Sequence, residues 1–226
     1  MAGTQSQQAE ERPSQAANTP PRPTPEASGA RKIVLVGVFA LAAVILAALV
    51  LSWLRPPEMH GVVLQSPDRA ADFTLMASTG QPMSLSDLRG KHLLLYFGYT
   101  FCPDVCPFTL NDLAKAKELL GRKGEDLQVV MITVDPERDT AEQLALYLPN
   151  FDPTFIGLTG EMEEIQAAAS QFGIFFEKHE GSEATGYLVD HTASILLVDP
   201  EGYLREVFSY GTPPEDIAAD LRYWMR

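Results

Sequence analysis

Two cysteines, Cys102 and Cys106, are all that this 226-residue chain contains, and three residues separate them. They lie in the stretch Y-F-G-Y-T-F-C-P-D-V-C-P-F-T-L-N, from Tyr96 to Asn111. A thiolate is a nucleophile, half of a disulfide and a soft metal ligand. Pro103 and Pro107 flank the second cysteine, and proline is tolerated only near the first turn of a helix. The pair therefore sits where a strand hands over to a helix, near the positive end of its dipole, which favours thiolate over thiol. If the first turn is already helical, positions i and i+4 share a face, and both sulfurs can meet one metal ion or each other. Packing as two small apolar residues accounts poorly for two lone cysteines bracketed by prolines.

A histidine is the natural third donor. His191 follows Asp190 and precedes the apolar run Ala193 to Val198, so it stands at the mouth of a strand. Only the fold can close the gap between it and Cys106. His60 falls in a linker, His92 starts a strand and His179 lies in the loop Glu177 to Thr185; these three read as solvated surface residues. Asp190 and Asp135 are both candidates to orient His191 by accepting a hydrogen bond, and the sequence leaves that choice open.

The elements around these residues follow from periodicity. Leu93 to Phe97 reads as a buried strand, and Leu110, Leu113, Ala114, Ala116 and Leu120 place one apolar face on the helix that follows. Leu127 to Val134 is a second buried strand, ending in the polar loop from Asp135 to Thr140, which leads into a helix through Leu144 and Leu148. Upstream, Asp72–Leu75 and Met83–Leu85 with Gly80 between them read as a hairpin, and Ser86–Gly90 as one helical turn closed by glycine. Downstream come a short strand at Phe155–Leu158, a helix at Glu161–Phe172 and an added strand at Ile174–Lys178. Ala193–Val198 and Tyr203–Phe208 form a hairpin about Asp199-Pro200-Glu201-Gly202, and a closing helix runs from Pro213 to Trp224. Strands alternating with helices, then a terminal hairpin and helix, describe an α/β domain with a mixed central sheet and helices on both faces.

Ile33 to Leu54 gives 22 residues without a charge. At about 1.5 Å per residue this is about 33 Å, enough to cross a bilayer core of about 30 Å. Arg31-Lys32 precede the run and Arg55 follows it, which places the N-terminus in the cytoplasm and the domain outside. The expected organisation is residues 1–32 as a disordered cytoplasmic segment, 33–54 as a single transmembrane anchor, 55–67 as a linker and 68–226 as the domain. The first segment is rich in Pro, Gln, Ser and Ala, and Glu10, Glu11 and Glu26 argue against a mitochondrial presequence. Those three are its only acids, so 27 of the 30 acidic residues lie after residue 55, against 12 of the 17 Lys and Arg, and that part carries a formal charge of −15 where the whole chain carries −13. Such a surface repels nucleic acid and anionic headgroups. No phosphate-binding glycine loop and no basic cluster with interleaved aromatics is present.

Three strings taken together, Y-F-G-Y-T-F-C-P-D-V-C-P at 96–107, V-D-P-E-R-D-T at 134–140 and D-H-T-A-S-I-L-L-V-D-P-E-G at 190–202, resemble the Sco/SenC family. The resemblance covers about residues 62–226 in colinear order. It implies a thioredoxin-like fold with an inserted N-terminal hairpin, and a membrane-anchored copper metallochaperone, not an enzyme. It further implies that Cys102, Cys106 and His191 bind copper and that the two thiols can cycle to a disulfide. The partner implied is cytochrome c oxidase subunit II, whose CuA centre is assembled, with other periplasmic copper carriers besides. The localisation implied is the bacterial inner membrane, with the domain in the periplasm. Two thiolates select Cu(I) and an added imidazole suits Cu(II), so the triplet fits copper in either state. A thiol–disulfide oxidoreductase is the main alternative, although C-x-x-x-C is not the thioredoxin C-x-x-C. A peroxiredoxin is disfavoured, because Phe101 separates Thr100 from Cys102. Zinc also accepts such a ligand set, and a membrane-tethered scaffold is the third class.

Overall fold

The computed structural model describes residues 28–54, 58–181 and 186–226. It falls into two compact units, one ending at Pro56 and one from Pro57 to Arg226. The first is a helix, α1 (Ser28–Leu54). Within it, Lys32–Ser52 is long and apolar enough to cross a membrane, and its side chains are exposed. The helix starts five residues before the uncharged run, because Ala30, Arg31 and Lys32 are all strong helix formers. Of residues 1–32, expected as a disordered segment, 28–32 belong to this helix and 1–27 lie outside the described residues, as do 55–57 at the start of the linker.

In the second unit the elements run β1 (Val62–Val63), β2 (Thr74–Ala77), β3 (Pro82–Ser84), a 3₁₀ turn, β4 (His92–Gly98), α2 (Val105–Leu119) and β5 (Leu127–Thr133). They continue with α3 (Ala141–Tyr147), β6 (Ile156–Thr159), α4 (Met162–Gln171), β7 (Phe176–Glu180), β8 (Tyr187–His191), β9 (Ile195–Val198), β10 (Leu204–Phe208) and α5 (Pro214–Trp224). Eight strands form one sheet in the order β1-β10-β9-β4-β5-β6-β2-β3, parallel through β4, β5 and β6 and antiparallel elsewhere. Among the described residues β7 and β8 pair only with each other, as a separate antiparallel ribbon.

The interior strands β4, β5 and β9 are buried along almost their whole length. Strands covered on both faces read as continuous apolar runs, and that is how these were recognised. Burying one such side chain contributes about 1.5–3 kcal/mol. Register then separates the faces. Tyr96 pairs with Met131 and Met131 with Gly157, so these three point the same way. On that side, a Cβ at Gly157 would lie 2.7 Å from Leu144 Cβ, so glycine is what lets α3 pack down there. Phe97 points the other way and meets the Phe172 ring, just past α4, at 6.0 Å. Helices thus cover both faces, as the sequence pattern implied.

One boundary needs correcting. Residues 55–67 are not all linker. Val62 and Val63 pair with Val207 and Glu206, and the amides of His60 and Gly61 donate to Asp220 and Glu206. A two-residue edge strand is too short to register as a periodic pattern.

Candidate metal centre

The cysteine half of the site is set by the end of β4. Gly98, its last residue, has no room for a side chain: a Cβ there would lie 2.6 Å from Tyr96 Cε1 and 3.0 Å from Cys106 Sγ. After it the chain turns, with Cys102 N–H donating to the Tyr99 carbonyl at 3.4 Å. Thr100 donates its amide (2.9 Å) and its hydroxyl (2.5 Å) to Asp139, which also accepts from Thr133 Oγ1 at 2.7 Å. Burial pushes the Asp139 carboxyl up, and these three donors oppose the rise. The second aspartate of V-D-P-E-R-D-T, Asp139, therefore pins the cysteine loop. α2 begins only at Val105, so Cys106 lies in its first turn while Cys102 remains outside it. The two are still joined, since Cys106 N–H, one of the helix's spare donors, points at Cys102 Sγ at 3.4 Å.

Both thiols are free; Cys106 is fully buried and Cys102 partly exposed. A hydrogen bond from the Cys106 thiol pushes the Cys102 thiol down to about 3, with His191 and the amides of Asp104 and Cys106 adding to the effect against burial. The same bond, followed by burial, pushes Cys106 well up. The pair thus shares one proton, held on the buried sulfur. A metal that takes both sulfurs must displace it.

The histidine half is the ribbon. His191 ends β8, opposite Phe176. Its Nε2 lies 3.5 Å from Cys106 Sγ, and its Nδ1 lies 3.4 Å from the Thr192 carbonyl. A carbonyl only accepts, so Nδ1 is the donor there, and Nε2 is the ring nitrogen that faces Cys106 Sγ. The rings of Tyr96 and Tyr99 stand edge-on to the imidazole, each with a centroid separation of 6.0 Å. The three sequence-predicted donors come together: Sγ of Cys102, Sγ of Cys106 and a ring nitrogen of His191 all lie within 4.8 Å of one another. Metal–sulfur and metal–nitrogen bonds of about 2.0–2.3 Å place two donors at most about 4.6 Å apart. One ion therefore fits, with a closure of a few tenths of an ångström.

Several readings of the sequence change at this point. Neither aspartate orients His191: Asp190 is exposed and faces His179 Nε2 at 3.3 Å, and Asp135 is engaged by Arg138 and Tyr187. Backbone carbonyl and aromatic edges do that work instead. His179 lies in β7, not in a loop, because its strand is short, charged and exposed. His92 is partly buried, with Nε2 3.2 Å from the Trp224 carbonyl. His60 is exposed, as expected, but it is tied to the domain, with Nδ1 2.8 Å from the buried Asp220. Tyr96, Tyr99, Asp139 and Tyr187 were missed as parts of the site, although the first three stand inside strings that the sequence already singled out.

The SCO1/SenC family model matches residues 63–226. A SCO2-like protein of Rickettsia felis is 35% identical over 195 residues, which cover 84% of this chain and 92% of that one. Copper-bound ScoI of Arabidopsis thaliana superposes with a TM-score of 0.67 at 34% identity, over 70% of this chain and 99% of that one. BsSco, described as a Sco-family cytochrome c oxidase assembly protein with a disulfide switch, matches with a TM-score of 0.58 at 25% identity, over 73% of this chain and 97% of that one. For the fold alone, the thioredoxin domain of a Bacteroides vulgatus thiol–disulfide oxidoreductase matches with a TM-score of 0.52 at 18% identity, over 72% of this chain and 99% of that one. Colinear motifs, a thioredoxin-like sheet and a converged Cys–Cys–His triplet lead to one conclusion: this chain belongs to the SCO1/SenC family.

Proposed function

We propose that the protein is a membrane-anchored copper metallochaperone that serves assembly of the CuA centre of cytochrome c oxidase. The observation that carries this reading is the convergence of the donor atoms of Cys102, Cys106 and His191 within 4.8 Å. Copper is the cargo. Two thiolates hold Cu(I), and His191 Nε2 adds the harder donor that Cu(II) prefers. Cys102 is the partly exposed ligand, so an incoming ligand of a partner reaches the ion from that side while buried Cys106 holds it. In this reading α1 anchors the domain to the bacterial inner membrane with the N-terminus cytoplasmic, and residues 68–226 face the periplasm. Oxidase subunit II receives the copper, other periplasmic carriers supply it, and the acidic surface keeps nucleic acid away.

The depressed Cys102 thiol supports a second reading, thiol–disulfide exchange. Cys102 thiolate attacks a partner disulfide and Cys106 resolves the mixed disulfide; as the pair closes, two electrons and its one shared proton pass to the partner, whose second sulfur takes its proton from solvent. The discriminating experiment is oxidase activity in cells carrying His191→Ala at limiting copper. Coordination needs the imidazole and exchange does not, so copper delivery predicts loss of activity. Activity equal to that of the unaltered protein would sink the chaperone and promote the reductase.

A further inference from the structure

The ribbon β7–β8 brings His191 to the sulfurs, yet among the described residues it pairs with no strand of the main sheet. Tyr187, Val189 and His191 alternate along β8 and so share one face of it. Each meets a different support. Tyr187 donates its hydroxyl to Asp135 Oδ1 at 2.6 Å and accepts at its carbonyl from Arg138 Nη1 at 3.1 Å. The Arg138 guanidinium pairs with the Asp135 carboxylate and lies on the Tyr187 ring at 3.7 Å. Val189 N–H donates to Tyr99 Oη at 3.3 Å. His191 faces the thiols.

Arg138 also faces the cysteine loop, with its guanidinium 4.8 Å from the Phe101 ring and 5.7 Å from the Tyr99 ring. It is wedged between the two halves of the site. The apolar packing beneath the ribbon is incomplete: a cavity of about 280 Å³ opens there, lined by Met162, Gln166, Phe176 and Val189 among others. Asp135 is nearly fully buried and its partner charge is fixed, so this tie resists solvent competition.

We propose that Asp135, Arg138 and Tyr187 are positioning residues, a latch that sets whether His191 stands at the two sulfurs. With the latch closed, three donors face the ion. With it open, two thiolates remain, the state suited to Cu(I) and to handing it on. In its copper consequence the inference rests on the copper reading above; in its geometry it does not.

The test therefore has a metal-free arm and a copper arm. In the metal-free domain, proton NMR of the unaltered protein shows nuclear Overhauser contacts between the His191 imidazole and the Tyr99 ring. Arg138→Lys, which keeps the charge but loses the planar fork, abolishes them; Tyr187→Phe, which removes only the hydroxyl, weakens them. Contacts unchanged in both variants overturn the latch. In the copper arm, Arg138→Lys weakens Cu(II) about ten- to a hundredfold, the usual effect of losing an outer-shell partner, and leaves Cu(I) unchanged. In a His191→Ala background the same substitution adds no further loss; an equal loss there would mean that Arg138 acts through the cysteines or the fold, and the latch falls. If the unaltered protein takes up no copper while Arg138→Lys still abolishes the contacts, the copper reading fails and the latch stands.

Discussion

The cysteine half and the histidine half of the site rest on different foundations. Cys106 is fully buried on a helix packed against the central sheet, and the loop before it is held by a buried aspartate. His191 comes from an exposed two-stranded ribbon attached by a few polar ties and one buried valine. The buried core presets the Cys106 sulfur and the loop that carries Cys102, while the imidazole arrives on an element with fewer buried contacts, the mark of lower local stability. Under the proposed copper reading, affinity for the softer and harder copper ions is thereby adjustable through one ligand, leaving the other two in place.

The comparison breaks most completely at the sulfurs. Cys102→Ser or Cys106→Ser removes half of the soft donor pair, and both are expected to lose tight Cu(I) and Cu(II) together. Metal content of the purified domain, with and without reductant, reads this directly. Stoichiometric copper retained by either variant would mean that the preset half is not the copper donor.

Next in size is Gly98→Ala, which attacks the foundation and leaves every ligand in place. The added methyl meets Tyr96 Cε1 at 2.6 Å and Cys106 Sγ at 3.0 Å, both buried with nowhere to retreat. Overpacking of this kind costs about 1–3 kcal/mol, and in a domain of this size the melting temperature falls about 2–4 °C per kcal/mol. Cu(I) affinity falls with it as Cys106 is displaced. Unchanged melting together with unchanged Cu(I) binding would show that the cysteine half is softer than the geometry says.

His191→Ala is the matching attack on the other half. A partly exposed side chain at the ribbon's base leaves stability within about 0.5 kcal/mol. Cu(II) binding drops sharply while the two thiolates keep Cu(I). Equal losses for both ions would erase the distinction between preset and mobile ligands.

How much of this the sequence disclosed follows the same division. Leu93–Phe97, Leu127–Val134 and Ala193–Val198 were readable because central strands are apolar on both faces, and Cys102, Cys106 and His191 were readable because few residue types bind soft metals. The ribbon was legible only in part: the added strand at Ile174–Lys178 covers the start of β7, but K-H-E lacks the alternation that marks a strand, so His179 read as loop and Tyr187–His191 was missed. The string V-D-P-E-R-D-T was visible as a motif, but a string does not say that Asp139 reaches back to Thr100 while Asp135 reaches forward to Tyr187. Buried acids are invisible for the same reason. Glu206 and Asp220 stand in ordinary strand and helix positions, and only tertiary contact removes them from water.

Those two acids give the smallest expected effect on the site, and so the sharpest control on the comparison. They clasp the edge strand β1 to the domain: Gly61 N–H is shared between Glu206 Oε1 (3.0 Å) and Asp220 Oδ2 (3.3 Å), and Trp224 Nε1 donates to Glu206 Oε2 at 2.8 Å. Burial, reinforced by neighbouring Asp220, pushes Glu206 up to about 7. The hydrogen bond to Asp220 pushes His60 up as well, and burial of Asp220 is outweighed by the bonds from His60, which hold that carboxyl low. An acid raised from about 4.5 to about 7 is protonated in the folded state and ionised in the unfolded state between those values, so folding holds the extra proton and stability falls as pH rises through that window. The raised His60 acts in the same direction, its contribution being full below about 6.5 and lost above its folded value. Thermal unfolding between pH 4.5 and 8 should therefore show a declining melting temperature, on the order of 3 kcal/mol across the window from Glu206. Glu206→Gln, which resembles the protonated acid, should flatten the slope and raise the melting temperature above pH 7. Cu(I) and Cu(II) affinities at fixed pH should not move, because the clasp touches neither half of the metal centre. A steeper slope in Glu206→Gln would refute the raised carboxyl, and an altered Cu(II) affinity would show that the ribbon's position is coupled to the far edge of the sheet.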